Sequence, residues 1–326
     1  MRYSILLSFG PTRPEQVVPF ANLVKWTAAE RLWQGQGMVL ESHHLMTWLA
    51  GLGIRVPAGF GVSLMPFRSP YQAAVEARSV ALATGHPVVA GFGPGSASIQ
   101  TGLLGRPYPS QLTACREYVQ AVRGLLTGRP VELSGAYHNL AANLLPTPAP
   151  PVSVGLGVLR PKMAALAGAV ADVAITWMGS AEYVGGTLIP AIRGAERDLP
   201  EPAKVTAIVP VALSGPDRDV TALATAACGS HAQLPHYRDT LRRAGIEVSG
   251  ERTGADAMRL VDGGVFLYGT VDEIHKRLDE YRDAGVDEVV LNATGVGLAH
   301  GPRAAARDLL EILTAIPGEA RTKGEP

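Results

Sequence analysis

Two adjacent histidines, His43 and His44, stand in the stretch VLESHHLMTW, with Ser42 before them and Trp48 four residues beyond His44. A histidine near its ordinary pKa of ~6.5 accepts or donates a proton at neutral pH, so the pair suits acid–base chemistry. Read as the end of a strand, GMVLES with the histidines just after it, the two side chains point to opposite faces and cannot converge on one ion. No further His, Cys or carboxylate cluster lies nearby in sequence, and no metal is expected. Packing histidines are the alternative.

A second candidate is VVAGFGPGSAS, Val88 to Ser98, with three glycines in five residues after a small apolar run. A dinucleotide fingerprint needs GxGxxG between the first strand and its helix, with an acidic residue about 20 positions on. Here the spacing is GxGxG, a proline occupies the turn, and Cys115, Arg116 and Glu117 stand at the acidic position inside a helical pattern. The Rossmann reading fails. What remains is bare backbone at Gly91, Gly93 and Gly95, either for close approach of a ligand or for a tight turn with positive φ. GFGVSLMPFRSP, with Ser63 and Leu64, and VGLGVLRPKM, with Gly155, Gly157 and Lys162, end two further strands. Together these residue types suit a flat, hydride-accepting cofactor.

The elements that must position them alternate along the chain. Short apolar runs without polar alternation, such as YSILLSF, PVVAGF, VAITW, KVTAIVPVAL and DEVVLNA, read as strands covered on both faces, hence a parallel sheet. Helical patterns follow each, among them Gln111 to Leu126, Lys162 to Ala171 and Ala181 to Arg197. About eight such units predict a (β/α)₈ TIM barrel, whose chemistry sits at the C-terminal ends of the strands. Three Gly- and Pro-rich excursions, 95–109, 126–151 and 245–265, are expected as loop insertions at that C-terminal face. Residues 1–316 are read as one domain and 317–326 as a flexible polar tail.

Composition narrows the class. The 326 residues are 47% hydrophobic with a formal net charge of zero and no block of like charges, which argues against a nucleic-acid partner. No run of eighteen apolar residues and no leader pattern predict a cytoplasmic protein without membrane association. Cys115 and Cys228, far apart and outside any CxxC, read as buried reduced thiols.

In the order SHH, GVSLMPFRSP, GFGPGS, VSVGLGVLRPKM and ADVAITWMGS, the chain resembles the luciferase-like flavin and deazaflavin oxidoreductases, from about Arg2 to Ala315. Among their branches it is most similar to those using coenzyme F420. The resemblance implies an F420-dependent reductase moving a hydride to an imine or activated alkene. FMN is the alternative cofactor, for a luciferase-like monooxygenase, and a non-catalytic flavin-binding barrel is a third reading. It implies His44 as proton donor, with His43 as the alternative. Ser42, His43, His44, Ser63, Leu64, Gly93, Pro94, Gly95, Ser96, Gly157, Val158, Leu159, Arg160 and Lys162 are implied at the cofactor, with a non-proline cis peptide at Ser63-Leu64. Arg160 stands where the family usually has glycine, and offers a guanidinium for the cofactor phosphate. The first-strand acid of sugar-phosphate members is absent, Thr12 and Arg13 standing there, and Trp177 and Ser180 replace their phosphate-binding Thr and Lys. An uncharged or bulky organic substrate against Trp48, Phe67, Trp177 and Met178 is implied instead, in a homodimeric enzyme.

Overall fold

The computed structural model describes residues 1–197 and 199–316; the tail from residue 317 lies outside the described residues. The strands are β1 (Arg2–Leu6), β2 (Leu32–Gln34), β3 (Ala58–Leu64), β4 (Val88–Gly93), β5 (Val131–Ser134), β6 (Asn139–Ala142), β7 (Val152–Val158), β8 (Val173–Trp177), β9 (Lys204–Leu213), β10 (Leu267–Gly269) and β11 (Glu288–Asn292). Eight of them form one row, β9-β11-β1-β2-β3-β4-β7-β8, and β8 pairs in turn with β9, so the row closes. Each of the eight is followed by a helix. This is the (β/α)₈ barrel that the alternation predicts. β10 pairs parallel to the end of β9, Leu267 opposite Val211.

The chain divides into two compact units, Gln34–Ile175 with Pro190–Lys204, and Met1–Trp33 with Thr176–Ile189 and the chain from Val205 onward. In the first, the helix Pro70–Thr84 shows how local sequence sets an element. The Ser69 hydroxyl accepts the Gln72 amide at 3.2 Å, Pro70 fills the first turn, and Gly85 ends it at φ +71°. Ala73, Ala74, Ala77 and Ala81 line its buried face, which lets the helix lie close to its neighbours.

Three expectations change. The second strand is LWQ at residues 32–34, not GMVLES, whose Met38 and Val39 are exposed. Ser42, His43, His44 and Trp48 therefore belong to a helix, Ser42–Gly51. The cis peptide is Gly61-Val62, and Ser63-Leu64 is trans. The register of β3 shifts between Phe60 and Ser63, and by Ser63 and Leu64 regular pairing with Phe92 and Gly93 has resumed. The helix expected over 181–197 is interrupted by a wide turn at Val184–Leu188 and ends at Arg193. Excursion 126–151 leaves from a helix end, yet its hairpin of β5 and β6 folds back along the helix Gln111–Leu126. At its tip the Tyr137 hydroxyl accepts from the Ser110 amide at 2.8 Å, and Glu117 accepts from the amides of residues 136 to 138 at 2.8 to 3.0 Å.

The glycines of β4 and β7 are explained by side chains of the protein itself. A Cβ at Gly91 would collide with the Phe60 carbonyl oxygen and Ile175 Cδ1, and one at Gly155 would lie 2.7 Å from Ile175 Cδ1. At Gly93 it would lie 2.8 Å from Val62 Cγ2, and at Gly157 3.2 Å from Val62 Cγ1. Ile175 and Val62 thus fill the space the glycines leave. Because the Phe60 oxygen is backbone and cannot rotate away, Gly91→Ala is expected to cost ~1–3 kcal/mol through overpacking. Denaturant midpoints check this, and an unchanged midpoint would show that β3 moves aside freely.

Candidate active site

The helix carrying the histidines begins where it does because of Glu41. Its backbone is extended, and its Oε2 accepts the amide of His43 at 2.6 Å and that of His44 at 3.1 Å. These are two of the four donors a helix start leaves without partners. Ser42, next in the chain, pins the preceding turn by donating to the Gly35 carbonyl at 2.7 Å and accepting the Gly37 amide at 3.1 Å.

The two histidines then separate sharply. His43 is 2% exposed and stacks on Phe60, ring centroids 4.0 Å apart. Its Nδ1 lies 2.8 Å from Glu41 Oε1, and its Nε2 is buried with no hydrogen-bond partner. His44 is exposed, and Trp48 lies one helical turn along the same face. Burial pushes the Glu41 carboxyl upward, but the hydrogen bond and charge of His43, the His44 amide and Arg68 outweigh it, leaving a pKa of about 2. A depressed carboxylate adds stability that is complete above the ordinary value of ~4.3 and is lost as pH falls through about 2. The cap therefore stays charged throughout the neutral range.

Arg68 completes this cluster. Its guanidinium lies 3.0 Å from Glu76 Oε2, 3.4 Å from Glu41 Oε1 and 3.2 Å from His43 Nδ1. It also donates to Gln36 Oε1 at 3.2 Å, and the same oxygen accepts the Leu64 amide at 3.1 Å. Glu41, His43 and Glu76 bring their ligand atoms within 4.8 Å of one another, a spacing a metal could use. The Arg68 guanidinium already supplies a positive charge among those atoms.

The other expected cofactor residues of this unit fall on two strand ends. Ser63 is buried and Leu64 half-buried at the end of β3, with Phe67 41% exposed just beyond. After Gly93, Pro94 and Gly95 form a turn in which Gly95 takes φ +71°, so positive φ explains that glycine. Ser96 starts the next helix, its hydroxyl accepting from Ile99 at 3.4 Å. The turn is held by Gln100, fully buried, whose Nε2 donates to the carbonyls of Pro94 and Gly95 at 3.0 and 2.9 Å. At the end of β7, Gly157 and the buried Val158 precede Leu159 and Arg160, and the helix Pro161–Val170 opens with Lys162 exposed in its first turn.

In the second unit β8 ends in Trp177 and Met178. Met178 is buried and sits at φ 56°, a left-handed conformation uncommon for a side chain of its size. The Trp177 ring meets His231 edge-on at 5.4 Å, and His231 meets Tyr237 at 5.1 Å. Burial, with His236 nearby, holds His231 down to about 4, so it is neutral at physiological pH. Trp177 Nε1 and His231 Nδ1 are buried without partners.

Glu41, Arg68, Gln100 and His231 were not legible as site residues. Glutamate is an uncommon cap, and the strand reading hid the helix start that would have drawn attention to it. Arg68 stood inside a quoted motif without a partner to pair with. Both cysteines are buried and unpaired, and burial pushes each thiol up to about 12, as inert thiols require.

Comparison with known proteins identifies the family. The sequence model of the family described as luciferase-like monooxygenase matches residues 1–288. An F420-dependent glucose-6-phosphate dehydrogenase of Nakamurella multipartita is 32% identical over 162 residues, 47% of this chain, and the match spans about half of that relative, 48% of its length. A 5,10-methylenetetrahydromethanopterin reductase of Methanolobus tindarius is 23% identical over 307 residues, 87% of this chain and 92% of the relative. The solved coenzyme F420-dependent tetrahydromethanopterin reductase of Methanopyrus kandleri superposes with a TM-score of 0.72 at 19% identity, covering 97% of this chain and 98% of that one. With a (β/α)₈ barrel and a family match over residues 1–288, the chain belongs to the luciferase-like monooxygenase family.

Proposed function

We propose that the protein is a coenzyme F420-dependent oxidoreductase that reduces an imine or activated alkene in an uncharged or bulky organic molecule, with His44 as proton donor. The observation that carries this reading is the division of the histidine pair. A capped helix presents His44 and Trp48 to solvent on one face, while His43 is sealed against Phe60. Two of the three relatives above are F420-dependent by name, which supports the cofactor.

The residues of the first unit fit a flat, phosphate-bearing group. The exposed Phe67 and half-buried Trp48 offer aromatic surface, and the turn at Pro94, Gly95 and Ser96 is held by Gln100. The helix Pro161–Val170 begins just beyond β7, so its dipole favours a phosphate there, and the exposed Lys162 in its first turn adds charge. Ser63, Leu64, Gly157, Val158, Leu159 and Arg160 complete the proposed set. Bound F420 would supply the hydride. His44 would deliver the proton to the atom that becomes negative as hydride arrives at the adjacent carbon. Trp48, Phe67, Trp177 and Met178 are proposed as substrate contacts. A homodimer and cytoplasmic residence belong to the same reading. Among the described residues no helix is long and apolar enough to cross a membrane.

The family's description as monooxygenases favours FMN as the second reading. Titration of the protein with F420 and with FMN separates the two. The proposal expects saturable F420 binding, weakened by ~1–3 kcal/mol in Lys162→Glu as a charge-assisted hydrogen bond is lost. Tighter FMN binding with oxygen consumption by the reduced complex would replace it with the monooxygenase reading. An unchanged F420 affinity in Lys162→Glu would remove that residue from the phosphate site.

A further inference from the structure

We propose that Glu41 is the positioning residue of the histidine pair: one of its oxygens fixes the helix start that presents His44, and the other fixes His43 in the tautomer with the proton on Nδ1. The inference rests on the reading of His44 as proton donor, and it divides the labour between neighbours that the sequence cannot tell apart.

The geometry is specific. Glu41 Oε2 takes the amides of both histidines, and Oε1 faces His43 Nδ1 at 2.8 Å. Two lone pairs cannot face one another at that distance, so a proton lies between them. It resides on Nδ1, because Arg68 stands 3.4 Å from the same carboxylate oxygen and favours its ionised form. The Arg68 Nη1 at 3.2 Å from Nδ1 has no lone pair to take that proton, and it donates to Glu76 Oε2 at 3.0 Å. In that tautomer Nε2 is a bare acceptor. That atom is buried with nothing to bond. His43, 2% exposed, thus keeps its Nδ1 proton on its own anchor, and His44 is left as the exposed donor of the pair. The helix start, the tautomer and the exposed donor all depend on a single carboxylate.

Glu41→Gln separates these roles within one side chain. A carboxamide oxygen can still accept both amides, so the helix start survives. Its NH₂ then occupies the place of Oε1 and donates to Nδ1, which reverses the tautomer and puts the proton on Nε2. The test is ¹⁵N NMR of histidine-labelled full-length protein at neutral pH, with His43 assigned by its loss in His43→Asn, together with amide exchange at residues 43 and 44. The wild type is expected to show Nδ1 protonated and Nε2 bare. Glu41→Gln is expected to show the reverse with both amides still protected, whereas Glu41→Ala, which leaves both amides without their acceptor, is expected to lose that protection and to lower turnover with reduced F420 about 10- to 100-fold, as for groups that orient a functional ligand.

A wild-type His43 protonated on Nε2, alone or on both nitrogens, overturns the proposal, and this result stands even where the variant fails to fold. Unchanged amide protection and unchanged turnover in Glu41→Ala overturn the positioning role. Absence of turnover in wild type with either F420 or FMN would sink the functional reading instead, while the spectra would still decide the tautomer.

Discussion

His44→Asn is expected to lower turnover with reduced F420 by about 10²- to 10⁴-fold, the range a positioned general acid contributes, while cofactor affinity and thermal midpoint stay close to wild type. The side chain is exposed on a helix whose start is held by Glu41, so its loss removes no packing, and exposed substitutions usually stay within about 0.5 kcal/mol. His43→Asn should behave differently in kind. It removes a ring stacked on Phe60 and the partner of Glu41 Oε1, so it should lower the thermal midpoint as well as the rate. Steady-state kinetics with cofactor titration and melting curves for both variants distinguish the cases. Loss of F420 affinity in His44→Asn would make the residue a ring contact. Full activity in both variants would move the proton to solvent or to Arg13, which lies on the surface paired with Glu15 at 3.2 Å.

The barrel was readable because its signal is repeated. Buried strands such as AGFGVSL, VVAGFG and VAITW are apolar on both faces, and a helix pattern follows each, so one misjudged element did not change the count. The second strand failed for a local reason. Met38 and Val39 make a convincing apolar run in sequence but are 72% and 69% exposed, whereas the true strand is three residues long and ends in a buried glutamine. The paired histidines were found by type alone. Their opposite fates, one sealed and one open, depend on contacts with Phe60 and Arg68 that lie 17 and 25 positions away and leave no mark on the local sequence. At Gly91 and Gly93 the space of a Cβ is taken by Ile175, Phe60 and Val62, which no spacing rule reports.

Arg31→Met is expected to destabilise the fold by ~3–5 kcal/mol without touching the proposed active site, because it removes the main counter-charge of a buried carboxylate. Glu288 begins β11 and is 2% exposed. Its Oε1 accepts from the Ser4 hydroxyl at 2.6 Å, the Arg31 Nε at 3.0 Å and the Trp33 indole at 2.8 Å. Arg31 is itself 7% exposed, and the other nearby cation, Arg2, stands 3.9 Å away with a side chain 41% exposed. Donors on β1, on β2 and on the residue before β2 therefore converge on one oxygen at the start of β11, the end of a barrel at which interactions serve stability. Methionine matches the length of the arginine stem but brings no charge, leaving the carboxylate with two neutral donors. Denaturant unfolding measures the loss, and adding Glu288→Gln to Arg31→Met should recover part of it, since the uncompensated charge is then gone. A loss below about 1 kcal/mol would show that Arg2 swings in to neutralise Glu288. Unchanged turnover per folded molecule is the expected companion, and reduced turnover would mean that this end of the barrel communicates with the proposed site.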